Sequence, residues 1–343
     1  MKHSSPDALV SVKDLNLSFR KRQLFRPTRE VRAINNASFD IGHGETLGLV
    51  GESGSGKSTT GRALLGLLPV DSGEIFVDGH DVRAAHGRAM RDLRPHMQMV
   101  FQDPYSSLDP SATIGASISE PLRVHRGMSQ RQAWSTVSEL LDVVGLRPSH
   151  ATRFPYEFSG GQRQRVAIAR ALALRPKLIV CDEAVSALDV STQNQVINLL
   201  EDLREDFGLS YLFIAHDLAV VRHIADRVAV MYLGHIVESG PVESVYINPK
   251  HPYTQALLSA IPMPDPDRTK KAKRTVLKGD LPDPASPPPG CPFQTRCPDV
   301  MDICRRDKPV ARRDEGSVDV ACHLYSAEKP EKPMVGAPAL SRM

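Results

Sequence analysis

Short apolar runs that close on reactive residues organise the first 240 residues of this chain. Glu45–Val50 reads as a short buried strand, and helical spacing resumes over Arg62–Leu68 behind a glycine-rich stretch. Leu178–Cys181 reads as a second strand, four apolar residues that end in Asp182 and Glu183. Tyr211–Ala215 is a third, ending at His216. Between them, Arg163–Leu174 predicts a helix that opens behind Phe158-Ser159-Gly160-Gly161-Gln162 and stops before Pro176. Ser129-Gln130-Arg131-Gln132 is a capping box; Ala133, Val137, Leu140, Leu141 and Val144 follow at helical spacing, and Gly145 supplies the stop. Carboxylates at the C-terminal end of an apolar strand suit an α/β fold whose mainly parallel sheet binds ligand at that edge.

Composition changes the picture in two places. Of the 27 prolines, 17 fall between Pro241 and Pro338, together with four of the five cysteines. The chain is therefore expected to divide near residue 240 into a regular α/β body and an irregular, Cys/Pro-rich C-terminal part. The longest apolar run, Val228–Leu233, is far short of the roughly 18 residues a membrane span needs, and Met1-Lys2-His3-Ser4-Ser5-Pro6 has no signal-peptide character. A net charge of +3 gives no electrostatic case for nucleic acid. The expectation is a cytoplasmic protein, or one peripheral to a membrane that a partner crosses.

Gly51-Glu52-Ser53-Gly54-Ser55-Gly56-Lys57-Ser58-Thr59 carries the most specific chemistry. It is a P-loop pattern in its required setting between strand and helix. Glycines let successive backbone N–H groups wrap phosphates, the helix N-terminus adds its positive end, and Lys57 adds a point charge. Ser58 offers a hydroxyl to Mg²⁺, Asp182 suits the metal's hydration shell, and Glu183 suits orientation and deprotonation of an attacking water. Cys181 reads as a small buried hydrophobe. Ser159 with Gly160 and Gly161 forms a second anion-suited helix N-terminus. One nucleotide does not need two such termini from one chain, so the second is expected to complete a site on another copy or partner, around ATP.

With these residues in place, the chain resembles the ATP-binding-cassette (ABC) ATPases over roughly residues 8–325. Phe158–Gln162 resembles the family's signature motif, Gln102 its Q-loop, Ser186-Ala187-Leu188-Asp189 its D-loop, and His216 its switch histidine. Phe19 sits where the family stacks an aromatic on adenine, with Phe25 the alternative. The resemblance implies an ABC ATPase domain over 8–245 with an N-terminal antiparallel β subdomain and a helical subdomain at about 103–160. It also implies Glu183, His216 and Gln102 as catalytic residues and Ser58, Gln102 and Asp182 around Mg²⁺. Nucleotide contacts fall to Phe19, Gly51, Ser53–Thr59, Ser159–Gln162 and Asp189. Trp134 is expected to pack within the helical subdomain.

His251–Leu258 and the segment Cys291–Pro298, followed by Cys304 and Cys322, resemble the C-terminal region of oligopeptide/dipeptide importer ATPases, assigned to 246–325 with a flexible tail at 326–343. Gln162, Gln164-Arg165 and Asp103-Pro104-Tyr105 resemble the F-type ATPase of such systems. That implies a D-type sister ATPase, two transmembrane permease subunits, an extracytoplasmic solute-binding protein, and a peripheral place on the cytoplasmic face of the inner membrane. Some importer ATPases with this tail carry a 4Fe–4S cluster, which Cys291, Cys297, Cys304 and Cys322 would hold. The spacings are not those of a zinc ribbon, and structural zinc and free thiols are the alternatives. None of the four belongs to a nucleotide motif, so ATPase activity is expected largely to survive their loss. The basic run Lys270, Lys271, Lys273 and Arg274 reads as a solvated linker, with a membrane-headgroup role the alternative. A soluble DNA-repair or translation ATPase is the rival reading. The 102 residues from Lys57 to Ser159 leave no room for a long coiled coil, and the chain has one cassette rather than two. Nickel and glutathione importers use similar ATPases, so the cargo is not legible.

Overall fold

The computed structural model describes residues 8–23, 26–103, 107–260, 277, 279–314 and 317–325. Phe25, Pro104, Tyr105, the basic run at 270–274 and the tail at 326–343 lie outside the described residues. Strands are numbered along the chain. β1 (Val10–Gln23) and β2 (Arg26–Ile41) are the long N-terminal pair, and β3 (Thr46–Val50) leads into the P-loop. β4 (Ser72–Val77), β5 (His80–Asp81) and β6 (Met97–Val100) follow. β7 (Leu178–Asp182), β8 (Ser210–Ala215) and β9 (Arg227–Tyr232) complete the central strands. β10 (His235–Pro241), β11 (Arg312–Arg313) and β12 (Asp319–Val320) close the count among the described residues.

Two sheets result. An antiparallel sheet of order β2-β1-β4-β5 forms the N-terminal layer. The larger sheet runs β11-β12-β10-β9-β3-β8-β7-β6, parallel from β9 through β6 and antiparallel beyond β9. β3, β7 and β8 are buried along their whole length, which is why they read as unbroken apolar runs rather than as alternations. Their parallel register sets Val50, Asp182 and Ala215 at one edge, so the residues that follow each strand meet there.

Helices Ile114–Arg126, Gln130–Val143 and Gly160–Leu172 form the helical layer, with Ile114, Ile118, Leu122, Ala133, Val137 and Leu141 inside. The Ser129–Gln132 capping box forms as expected, and Trp134 packs over Gly115. Two helices begin earlier than their apolar spacing predicted. The one after the P-loop spans Lys57–Leu64, because Gly56 at φ 107° ends the loop and Gly66 at φ 63° ends the helix. The signature helix spans Gly160–Leu172, because both glycines form its first turn behind the Ser159 cap.

Among the described residues the helices of the C-terminal part are short: Val242–Ile247, Pro252–Ser259 and Asp302–Arg306. It nevertheless shares the core of the body. Glu238 pairs with Val320 across β10 and β12, and Tyr253, Phe293, Cys291 and Cys304 belong to the same buried cluster as Val50 and Tyr232. Among the described residues no helix is long and apolar enough to cross a membrane.

Candidate functional site

The P-loop occupies the turn between β3 and the helix Lys57–Leu64. Two of its glycines are required by proximity: a Cβ on Gly51 would stand 2.1 Å from the Met231 carbonyl, and one on Gly56 2.2 Å from that of Ala33. Lys57 is buried and donates to the carbonyls of Gly51 (2.8 Å) and Glu52 (3.0 Å). Burial pulls its ammonium below the usual lysine range, while Glu183, Asp182 and Glu52 oppose that shift. A cation held among carbonyls this way can turn to a phosphate without first being stripped of water.

Ser58 donates its hydroxyl to Asp182 Oδ1 at 2.6 Å. Asp182 Oδ2 is buried and has no hydrogen-bond partner, with Arg62 at 3.6 Å. A hydroxyl and a carboxylate with an oxygen to spare are a hard-oxygen donor set, which fits Mg²⁺. Glu183 follows at φ 49°, a backbone turn that swings its carboxylate out of the strand. Gln102 Nε2 donates to Glu183 Oε2 at 2.8 Å, and His216 Nδ1 stands 3.5 Å from the same oxygen. Thus residues separated by 81 positions, Gln102 and Glu183, share one oxygen.

The signature turn is built elsewhere in the chain. Ser159 caps its helix, accepting from the Gln162 N–H, and the Gln162 side chain returns to the Ser159 N–H. Gly160 lies against Leu188 and Gly161 against Thr192, so this turn packs on the D-loop and the helix after it. Asp189 caps that helix, Val190–Phe207, accepting from the Thr192 N–H and hydroxyl. Phe19 stands on β1, about half exposed. Cys181 is fully buried in β7, and burial pushes its thiol up to about 12.

Cys291, Cys297, Cys304 and Cys322 are free thiols, Cys291 and Cys304 buried and Cys297 and Cys322 half-buried. Burial pushes Cys291 up to about 12 and Cys297 up to about 11, and it raises Cys322 as well. Ligation needs thiolates, so a metal bound here would have to displace the thiol protons that burial favours at Cys291, Cys297 and Cys322. Among the described residues no group of three or more His, Cys, Asp or Glu stands ready to hold a metal ion.

Sequence reasoning missed one element of the site. Arg296 in the tail makes a two-armed ion pair with Glu52 of the P-loop, at 2.7 and 3.1 Å across 244 positions. No periodicity or motif marks Arg296 for this role.

Comparisons with known proteins agree with this geometry. Residues 34–186 match the family described as ABC transporter, and 237–304 match the oligopeptide/dipeptide transporter C-terminal region. The chain is 50% identical to the oligopeptide transport ATP-binding protein AppF of Bacillus subtilis, over 95% of this chain and all of that one. It is also 50% identical to OppF of Salmonella typhimurium, over 88% of this chain and 92% of that protein. Against the glutathione import ATP-binding protein GsiA of Shigella dysenteriae it is 58% identical, over 77% of this chain but 42% of that protein. An ATP-binding cassette solved as a dimer in a post-hydrolysis state with ADP and phosphate superposes with TM-score 0.61 at 29% identity, covering 68% of this chain and 98% of that one. With its P-loop, its acids at the strand edge and its capped signature helix, the chain belongs to the ABC transporter ATP-binding protein family, in the branch that carries the oligopeptide/dipeptide C-terminal region.

Proposed function

We propose that this chain is the ATP-hydrolysing, energy-coupling subunit of an importer for oligopeptides or dipeptides. The observation that carries the reading is the convergence of Lys57, Ser58, Asp182, Glu183, Gln102 and His216 on one sheet edge. Lys57 leaves its carbonyls for the phosphates of ATP. Ser58, Asp182 and Gln102 would hold Mg²⁺, which when bound offsets charge on the transferring phosphoryl group. Glu183 takes the proton of the attacking water, Gln102 fixes the carboxylate from one side, and His216 reaches the same oxygen from the other. Phe19 stacks on the base. Ser159, Gly160, Gly161 and Gln162 present helix N–H groups to a nucleotide on the opposite subunit, and Asp189 lies beside that interface.

In this reading residues 8–245 are the nucleotide-binding unit, with the helical subdomain at about 103–160, and 246–325 are an appended region. The second ATPase is a D-type sister. The pair sits on the cytoplasmic face of the membrane beneath two permease subunits, which receive cargo from a solute-binding protein. Hydrolysis reopens the ATPase dimer and so moves the permeases. ATP-dependent uptake of a labelled peptide into proteoliposomes holding the four subunits and the binding protein tests this; uptake unaffected by omitting this chain refutes it. The relative that imports glutathione, itself a small peptide, favours a second reading in which the cargo is a tripeptide thiol; competition by glutathione in the same assay separates the two.

Cys291, Cys297, Cys304 and Cys322 complete the proposal as ligands of a 4Fe–4S cluster. Support comes from Cys291 and Cys304, both buried and joined by the bond from the Cys291 N–H to the Cys304 carbonyl, and from the favourable energy a metal supplies when it takes up thiols as thiolates. Iron and zinc analysis of anaerobically purified protein decides it. About four iron atoms per chain is expected, whereas zinc alone or no metal overturns the cluster.

A further inference from the structure

Glu52 is the second residue of the P-loop, a position the nucleotide-binding pattern leaves open. In the structure all its polar groups are engaged. Its carboxylate accepts from both terminal nitrogens of Arg296, at 2.7 and 3.1 Å. Its N–H donates to the Tyr253 hydroxyl at 2.9 Å. Its carbonyl accepts from Lys57 Nζ at 3.0 Å and from the Ser55 N–H at 3.2 Å. The tail therefore grips the start of the loop at two points, and the gripped residue in turn holds the phosphate-binding lysine.

The grip is stiff on the tail side. The Arg296 side chain is only 9% exposed, and its backbone N–H bonds the Phe293 carbonyl at 3.0 Å. Phe293, Tyr253 and Tyr232 are packed ring to ring, with centroids 4.7 to 5.4 Å apart. The Gln294 N–H bonds the Cys291 carbonyl, and the Cys291 N–H bonds the Cys304 carbonyl. Arg296 and the thiol-bearing turn are thus one hydrogen-bonded piece. A planar guanidinium on a carboxylate fixes direction as well as distance. Such a contact sets where Glu52, and with it the loop, can lie before nucleotide arrives.

We propose that Arg296 and Tyr253 are positioning residues for ATP binding: they hold the P-loop in its receptive shape, so that the packing of the four-cysteine segment is felt at the nucleotide. The proposal rests on the ATPase reading above. A purely structural pair would lower the melting temperature yet leave the ATP affinity of folded molecules alone. A positioning pair alters that affinity well below the melting temperature.

The test is the MgATP dissociation constant of the full chain, by titration calorimetry, for Arg296→Gln, Arg296→Lys, Glu52→Gln, Tyr253→Phe and the Glu52→Gln/Arg296→Gln double variant. Arg313→Gln, which breaks the tail's Arg313–Asp319 pair away from the P-loop, is the control. Arg296→Gln and Glu52→Gln should each weaken binding roughly tenfold, the scale of one lost charge-assisted hydrogen bond. The double variant should be no worse than either single one, Arg296→Lys should recover part of the loss, and Tyr253→Phe should show a smaller loss. Binding within about twofold of wild type for both single variants, or losses that multiply in the double variant, overturns the brace. Lys57→Ala in the same series separates the two readings. If it too binds normally the P-loop assignment fails, and if it alone loses binding only the brace fails.

Discussion

Acid should loosen the C-terminal part through His251. This side chain is 1% exposed, caps the helix Pro252–Ser259 by accepting from the Tyr253 N–H at Nδ1, and lies 5.6 Å from the Phe293 ring. Burial holds its pKa down to about 3, against 6.5 when exposed. A proton on Nδ1 would face the Tyr253 N–H, donor against donor, in a buried site. Because the folded-state value is depressed, the stability is fully present above about pH 6.5 and is lost as pH falls towards about 3. Integrating one proton from about pH 7.5 to about pH 5 gives a loss of about 2 kcal/mol, at 1.36 kcal/mol per pH unit. Glu238, raised by burial, and His235, held down to about 4 by burial, also titrate, so the difference between proteins is the informative quantity. His251→Asn keeps a capping acceptor and removes the titration. Urea unfolding across this range should show wild type losing about 2 kcal/mol more than the variant. Equal pH slopes would refute the assignment of a buried neutral histidine.

Two further outcomes follow from the site. Gly161→Ala places a Cβ 2.1 Å from Thr192 Cγ2 and should cost about 1–3 kcal/mol in urea unfolding, whereas Gly160→Ala, 3.5 Å from Leu188, should be close to neutral. Equal costs would mean that the signature helix does not rest on the helix after the D-loop. Lys57→Ala should weaken MgATP binding by at least about tenfold, because a phosphate counter-charge is lost; unchanged affinity would argue against the P-loop.

What was legible in the sequence is what lies contiguous in it. The P-loop is nine consecutive residues, and Asp182 and Glu183 end an unbroken apolar strand. The glycines of the signature turn announced a helix start, although spacing alone placed that helix three residues late. It missed because glycine carries no apolar period to read. The tail was legible in composition but not in attachment. Its strands Arg312–Arg313 and Asp319–Val320 are two residues each, too short to show alternation, yet they extend the central sheet. The Arg296–Glu52 pair spans 244 positions and is decided by the packing of Phe293, which no local pattern encodes. The expectation that ATPase activity ignores the tail cysteines followed from their absence from the nucleotide motifs.

The central claim, hydrolysis driven from the edge of the parallel sheet, rests on Glu183, and Glu183→Gln tests it most directly. The amide oxygen can still accept from Gln102 Nε2, now 2.8 Å from the carboxylate, so the geometry is kept while the base is lost. Steady-state turnover should fall by at least about a hundredfold. MgATP should still bind and should now hold an ATP-bound dimer visible by sedimentation. Turnover within about threefold of wild type would contradict the account, since a general base worth so little is no base at all.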